Sequence, residues 1–211
     1  MSRIFAALIA LVGWSVLCIQ LILTVTNPDS ADISLAERVA RYFSFFTILT
    51  NLIVAISTTA IALAPASRIG RFVSRSNIQA AIAVYISIVG IIYCLFLRSV
   101  WNPTGWQAVA DHVLHDAIPV AFVVCWAVFA PKDGLSWLDP FKWLAYPVAY
   151  FIYSIIRGMI VGWYPYWFAD VSALGYPTVL RNTGMVLAAF VFVGYIVLGI
   201  SKIVPPRLRS A

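Results

Sequence analysis

The only two histidines of this 211-residue chain lie together in the stretch DHVLHDAIP, at 111–119. Asp111 and His115 are four residues apart, so they share one face of a helix, and His112 and His115, three residues apart, are also neighbours across one turn. Histidine is a suitable general base near neutral pH, and a carboxylate beside it can fix the tautomer of its ring. The stretch therefore offers a base with an acidic partner at the start of a long apolar run.

Polar side chains also lie on one face of an earlier apolar segment, RYFSFFTILTNLIVAISTT. Thr47, Thr50, Asn51 and Thr58 have offsets of 0, 3, 4 and 11, which places them on a single helical face. A threonine becomes a nucleophile when a base removes its proton. Such residues also form hydrogen bonds between packed helices in lipid. We favour packing for Thr58, and both interpretations stay open for Thr47 with Asn51.

A third segment, KWLAYPVAYFIYSIIRGMIVGWYPY, carries hydroxyl groups and one cation at helical spacing. The stripe consists of Tyr146, Tyr150, Tyr153, Arg157 and Tyr164. An unpaired arginine within a membrane segment is costly, so residues of this kind usually face a partner inside the bundle. We expect that partner to be Asp116 or Asp170.

The elements that would position these residues are transmembrane helices. The chain is 63% hydrophobic and only 10% charged, with a mean hydropathy of +0.94, whereas soluble domains carry about 25% charged residues. Six stretches are long and apolar enough to span a bilayer. They lie near Ile4–Thr26, Ala40–Ala64, Ile78–Leu97, Val113–Ala130, Trp143–Trp163 and Thr183–Val204. We therefore expect an all-α, polytopic membrane protein in which residues 1–211 form a single bundle of six transmembrane helices.

The distribution of basic residues predicts the orientation of this bundle. A cytoplasmic N-terminus places nine of the fourteen basic residues inside, namely Arg3, Arg68, Arg71, Arg75, Lys132, Lys142, Lys202, Arg207 and Arg209. Because cytoplasmic loops carry an excess of lysine and arginine, both termini are expected in the cytoplasm of a cell-membrane protein. No pattern supports nucleic-acid binding, and the basic loops are expected to meet anionic lipid headgroups.

This topology brings the polar residues to one depth. At a rise of 1.5 Å per residue, Thr47 would lie about 10 Å and His115 about 5 Å below the outer ends of their helices. Asn51 and Arg157 fall in the same outer half of the bilayer. The 163–182 connection, which is rich in tryptophan and tyrosine, is expected to fold back over the bundle mouth. We therefore expect a cavity open to the outer leaflet.

Nucleophilic hydrolysis is the leading chemical interpretation of this site. Thr47 would attack an ester after His115 takes its proton, and Asp111 would orient His115. Asn51, Arg157 or a tyrosine would stabilise the oxyanion. A lipid acyl ester arriving through the membrane is the natural substrate.

Three alternatives remain. His112 and His115, with Asp111 or Asp116, could bind zinc, although a complete site needs at least three good ligands. The chain could also be a non-enzymatic lipid or anion binder or a small transporter that uses Arg157 and His115. Finally, the histidines could simply lie at the interface at a helix end. No cofactor-binding motif is present.

The stretches FFTILTN, DHVLHDAIP and, above all, YPVAYFIYSIIRGMIVGWYPYWFAD resemble the bacterial six-helix "Pr-six-Pr" membrane proteins, over nearly the whole chain. That family is distantly similar to the androgen-induced and androgen-dependent proteins, which are intramembrane threonine hydrolases of fatty acid esters of hydroxy fatty acids. The resemblance implies Thr47, rather than Thr50, as nucleophile and His115 as its catalytic partner. We expect no cofactor and no metal at the site. Asp111 stands where that family has asparagine. The secondary candidates are Thr50, His112, Asp116, Tyr153 and Tyr164.

Overall fold

The computed structural model describes residues 2–203 of the chain. Helices make up 81% of the structure, and residues 2–203 contain no strand. Six helical segments have the length and composition to cross a membrane. They are Arg3–Thr26, Phe46–Leu63, Ser76–Leu97, Gly105–Phe129, Asp139–Val161 and Val171–Ile203. The expected all-α fold with six membrane-spanning helices is therefore confirmed, and the chain is a multi-pass membrane protein.

Between residues 2 and 203, ten α-helices build these spans and their connections. They are α1 (Arg3–Thr26), α2 (Leu35–Tyr42), α3 (Phe46–Leu63), α4 (Arg68–Val73), α5 (Ser76–Ile92), α6 (Gly105–His112), α7 (Ile118–Phe129), α8 (Asp139–Lys142), α9 (Ala145–Val161) and α10 (Val171–Ile203). Two π-helical turns complete the third and fourth spans. Tyr93–Leu97 extends α5, and Val113–Ala117 joins α6 to α7.

The second predicted segment is divided in the structure. The short helix α2 carries charged residues and is capped by the Ser34 side chain, which accepts a hydrogen bond from the Glu37 N–H. The chain then turns at 43–45, and α3 begins at Phe46 rather than near Ala40. Thr47 therefore lies in the first turn of its helix, and the expected depth of about 10 Å is wrong.

The last span begins earlier than its apolar run. Its helix starts at Val171 and is kinked at Gly175, where a φ of 74° suits a residue without Cβ. Pro177 follows the kink. Most of the predicted 163–182 connection is therefore helical, and only 162–170 is a loop with a single 3₁₀ turn. Val204, Arg207 and Arg209 lie outside the described residues.

Helix α5 forms the centre of the bundle. It is buried from Gln79 to Val89 apart from Ser87, and it packs against α3, α7 and α10. The largest fully buried side chains of the neighbouring α7 are Phe122 and Trp126. This apolar core, together with contacts between α1 and α3, holds the two helices that carry Thr47 and His115 side by side.

The bundle has two distinct ends. One end contains the C-terminus of α1, the N-terminus of α3 and the two π-turns. There the Gln107 amide donates to the Gln20 side chain, and the Tyr42 hydroxyl donates to the Leu17 carbonyl. We call this the site end. At the opposite end Phe5 stacks on Phe129, near the basic helix α4.

Candidate functional site

Thr47 and His115 are in direct contact. The Thr47 Oγ1 lies 3.3 Å from the His115 Nε2, although 68 residues separate them in the sequence. Both side chains are largely buried, with exposed fractions of 8% for Thr47 and 12% for the His115 side chain. The structure thus brings the predicted nucleophile and the predicted base within hydrogen-bond reach.

The second ring nitrogen of His115 is directed at Asp111. The His115 Nδ1 lies 2.9 Å from the Asp111 carbonyl oxygen and 3.3 Å from its carboxylate Oδ1. A carbonyl oxygen can only accept a hydrogen bond, so Nδ1 carries the proton in the neutral ring. The Nε2 is then an acceptor that faces the hydroxyl of Thr47. This is the tautomer that a general base requires.

Tyr93 holds this arrangement from a neighbouring helix. Its ring stacks on the His115 ring at a centroid distance of 4.1 Å and an interplanar angle of 12°. Its hydroxyl donates a hydrogen bond to the carboxylate of Asp111, which is only 5% exposed. Sequence reasoning missed Tyr93, although it is a lone phenol near the end of an apolar span. Its position in a π-turn could not be read from hydropathy.

The π-turn at Val113–Ala117 explains a further contact of the site. The Ile118 N–H bonds the Val113 carbonyl instead of the Leu114 carbonyl. Pro119 has no N–H to offer in its place. The Asn51 Nδ2 donates to the Leu114 carbonyl at 3.3 Å and to the Thr47 carbonyl at 2.9 Å. Asn51 therefore links the backbone at Thr47 to the turn that carries His115, and its amide hydrogens point at carbonyls rather than at an incoming oxyanion.

The loop at 162–170 crosses the site and places Tyr166 beside Thr47. The Tyr166 hydroxyl lies 3.4 Å from the Thr47 backbone nitrogen and 3.5 Å from its Oγ1. The Tyr166 ring stacks on Phe168 and packs edge-on against Phe45. Burial raises the pKa of the Tyr166 phenol above its ordinary value, although its hydrogen bonds with Thr47 act in the opposite direction. The aromatic content of this loop was the available signal, but it did not single out Tyr166.

Arg157 lies outside this group. Its Nη2 is 2.8 Å from a carboxylate oxygen of Glu37, which also bonds the Arg41 Nε at 2.9 Å. The guanidinium groups of Arg157 and Arg41 both pack on the Trp163 ring, at 5.1 and 4.9 Å. The partner that we expected was therefore wrong, because α2 brings Glu37 to Arg157.

The two aspartates expected beside Arg157 have other partners. Asp116 forms ion pairs with Arg98 and with the Nδ1 of His112, the latter at 3.0 Å. The Asp170 carboxylate accepts hydrogen bonds from the backbone at the start of α10. Because the His112 side chain is 64% exposed and bonded to Asp116, it belongs to the rim of the bundle rather than to the Thr47 pair.

The remaining secondary candidates make structural contacts. The Thr50 hydroxyl lies 3.2 Å from the Tyr146 hydroxyl. The Tyr153 hydroxyl lies 3.0 Å from the Ser44 Oγ. The Tyr164 ring packs directly on Gly158, where a Cβ would collide with it. None of these three candidates touches His115 in any contact that the structure records.

A cavity of about 340 Å³ opens beside the Thr47–His115 pair. Its lining comprises Gln20, Thr24, Tyr42, Phe45, Thr47, Ile48, Tyr93, Leu97, Val100, Trp101, Gln107, Asp111, Leu114, His115, Pro165 and Tyr166. A narrow apolar cleft of about 30 Å³ adjoins it and shares Thr47, Leu97 and Tyr166. Arg157 lines neither space, so it provides no cation there for the anion-binding alternative.

The zinc hypothesis finds no complete ligand set. Residues 2–203 contain no group of three or more histidine, cysteine, aspartate or glutamate side chains that could hold a metal ion. His112 and His115 instead direct their Nδ1 atoms at different aspartates, Asp116 and Asp111.

No protein-family model, curated protein or solved structure matches this chain. The class of protein therefore follows from its own geometry. It is a multi-pass helical membrane protein with a cavity. At the edge of that cavity a threonine contacts a histidine, and the histidine contacts an aspartate.

Proposed function

We propose that this protein is an intramembrane hydrolase of lipid acyl esters, with Thr47 as nucleophile and His115 as general base. The observation that carries the proposal is the contact of 3.3 Å between the Thr47 Oγ1 and the His115 Nε2, with the opposite ring nitrogen bonded to Asp111. The resemblance of FFTILTN and DHVLHDAIP to the "Pr-six-Pr" proteins supports the same assignment.

The reaction would proceed through an acyl-threonine. The Thr47 Oγ1 attacks the ester carbonyl while its proton passes to the His115 Nε2, and the C–O bond to the alcohol breaks as His115 returns that proton to the leaving oxygen. A water molecule, deprotonated by His115, then attacks the acyl-threonine. The products are a free acid and the regenerated Thr47 hydroxyl.

Tyr166 is the group best placed to stabilise the negative charge that develops on the carbonyl oxygen. Its phenol oxygen accepts the Thr47 N–H, and its proton, which also lies within reach of the Thr47 Oγ1, can be donated to the oxyanion that forms when that atom attacks. Thr47 is also in the first turn of α3, where the helix dipole favours negative charge. A buried, neutral phenol in this position suits the role, because burial keeps it protonated.

The cavity also gives a lipid ester a route from the bilayer. Val100 and Trp101 contribute to its wall and are 72% and 50% exposed, so the cavity reaches the outer surface of the bundle beside them. Tryptophan favours the membrane interface. Membrane lipids are therefore the proposed source of the substrate. We also propose, from the charge distribution, a cell membrane with both termini in the cytoplasm.

Covalent labelling tests the nucleophile. The purified protein would be treated with a serine- and threonine-directed fluorophosphonate probe. We expect wild-type labelling, none with Thr47→Ala, and a rate about 100-fold lower with His115→Ala, because a general base contributes at least that much.

Thr50→Ala is the matched control, since it removes a hydroxyl from the same helix without touching His115. It is expected to label like the wild type. Equal labelling of wild type and Thr47→Ala would exclude Thr47 as the nucleophile.

A further inference from the structure

The lining of the cavity that adjoins the Thr47–His115 pair also carries uncharged hydrogen-bonding groups. The Gln107 Nε2 donates to the Gln20 Oε1 at 2.9 Å, and the Gln20 Nε2 lies 3.4 Å from the Thr24 hydroxyl. All three side chains line the cavity. Each amide carries two N–H groups and an oxygen with two lone pairs, so these bonds use only part of their capacity.

The polar groups of this wall come from two helices. Gln20 and Thr24 belong to the mostly apolar α1, and Gln107 belongs to α6. Pockets for small molecules are mostly apolar, with a few polar groups that fix the orientation of the ligand. The amide and hydroxyl groups therefore mark the place where the polar part of a ligand would lie.

The charged residues around the cavity disfavour a negatively charged ligand group beside Gln20, Thr24 and Gln107. Among the described residues that line the cavity there is no lysine or arginine, and the carboxylate of Asp111 is part of the wall. Arg98 is bound to Asp116 and lies over the Tyr93 ring, which also stacks on His115. An ionised carboxylate in the cavity would lose water without gaining a cation.

The cation nearest to Thr24 along the chain is also engaged. The guanidinium of Arg38 donates to the carbonyls of Val25, at 2.7 Å, and Ile33, at 2.8 Å. The bond to Val25 satisfies one of the last carbonyls of α1, which need donors, and the bond to Ile33 ties down the connection to α2. Arg38 is therefore part of the helix end and does not line the cavity.

We propose that Gln20, Thr24 and Gln107 form a subsite for the alcohol portion of the substrate, and that this alcohol is a neutral, hydroxylated group such as glycerol rather than a hydroxy acid. The proposal rests on the proposed hydrolase function. A glycerol hydroxyl both donates and accepts, as does an amide, so the two are matched. A volume of about 340 Å³ is at the lower end of the range of ligand pockets, which suits a small alcohol with the adjoining ester.

Binding of two non-hydrolysable ethers tests the subsite independently of catalysis. Both ligands carry an oleyl chain. One is 1-O-oleylglycerol and the other is oleyloxyacetate, which bears a carboxylate at the corresponding position. Their dissociation constants would be measured with the full-length protein in lipid nanodiscs at neutral pH. We expect the glyceryl ether to bind at least about tenfold more tightly, because the carboxylate must be desolvated without a partner.

Substitution at Gln107 then locates the preference. Gln107→Leu is expected to weaken binding of the glyceryl ether by about tenfold, the value of a lost buried hydrogen bond. Gln107→Lys is expected to shift the preference towards oleyloxyacetate by adding a cation. Val109→Lys, which places the same charge on an exposed position of the same helix, is expected to leave the preference unchanged.

The outcomes separate this proposal from the hydrolase proposal. Equal or tighter binding of oleyloxyacetate by the wild type, or an unchanged preference in Gln107→Leu and Gln107→Lys, would overturn the subsite. Discrimination between the ethers in a protein that fails the fluorophosphonate test would retain the polar subsite and exclude Thr47 as the nucleophile.

Discussion

At the scale of single residues, the site is a small polar cluster inside an apolar bundle. Thr47, His115 and Asp111 form one chain of contacts, and Tyr166 and Tyr93 bond its two ends, at Thr47 and Asp111. The three could be named from the sequence, because scarce polar residues in apolar segments tend to be functional. Tyr93 and Tyr166 could not, because ten tyrosines are present and only the fold decides which of them reaches His115 or Thr47.

The role of Tyr166 gives a prediction at this scale. Tyr166→Phe removes the phenol while keeping the ring that packs on Phe45 and Phe168. We expect kcat for hydrolysis of a lipid ester to fall about 100-fold, as on loss of one oxyanion donor, with little change in KM. Steady-state kinetics of both parameters would measure this.

The control is Tyr153→Phe, which removes a phenol that bonds Ser44 away from the cavity. Its kcat is expected to match that of the wild type. If Tyr166→Phe retains the same kcat as Tyr153→Phe, Tyr166 is not the oxyanion donor.

At the scale of helices, two departures from regular α-geometry create the site. The interruption at 43–45 places Thr47 in the first turn of α3, and the π-turn at Val113–Ala117 carries His115. Hydropathy predicted the spans but neither the interruption nor the π-turn. The apolar character of a segment is the same whether each backbone N–H bonds the carbonyl four or five residues before it. Pro119 was the one visible signal, since a proline inside a helix disturbs the turn before it.

The attachment of α2 to α9 gives a prediction at the scale of elements. Glu37→Gln removes the charge that pairs with Arg157, whose side chain is only 11% exposed. A largely buried arginine that loses its carboxylate partner lowers the free energy of unfolding of the protein. Because the Glu37 side chain is 28% exposed and partly screened, we expect a loss of only about 1 kcal/mol at neutral pH. The unfolding midpoint in detergent would measure it.

This contribution should depend on pH in a defined direction. Burial raises the pKa of Glu37, but hydrogen bonds from Arg41 and Arg157 outweigh it and leave the pKa below the ordinary value of 4.5. The stabilisation is therefore complete above about pH 4.5 and is lost as the pH falls through the lowered pKa. The difference between wild type and Glu37→Gln should shrink in acid. Asp29→Asn, at an exposed carboxylate, is the control, and an equal loss there would contradict the role of Glu37.

At the scale of the whole molecule, the bundle separates its chemistry from its basic surface. The site end holds Thr47, His115 and the cavity, whereas the opposite end carries α4 with Arg68 and Arg71. The number of spans could be predicted because each needs about 20 apolar residues, a property of sequence alone. The starts of α6 and α10 could not, because both helices begin before their apolar runs. In α10 the Asp170 side chain caps the start, and a kink at Gly175 follows.

The separation of the two ends predicts the orientation in the membrane. Positive residues favour the cytoplasmic side, so the end with α4 should face the cytoplasm and the site end should face outwards. Two single-cysteine reporters, placed in a background with the native cysteines changed to alanine, would test this. Ala31→Cys lies at the site end and Ala66→Cys lies beside α4, and both positions are exposed. A membrane-impermeant maleimide applied to intact cells should label Ala31→Cys only, and Ala66→Cys should react after permeabilisation. The reverse pattern would place the cavity on the cytoplasmic side, and the lipid ester would then have to come from the inner leaflet.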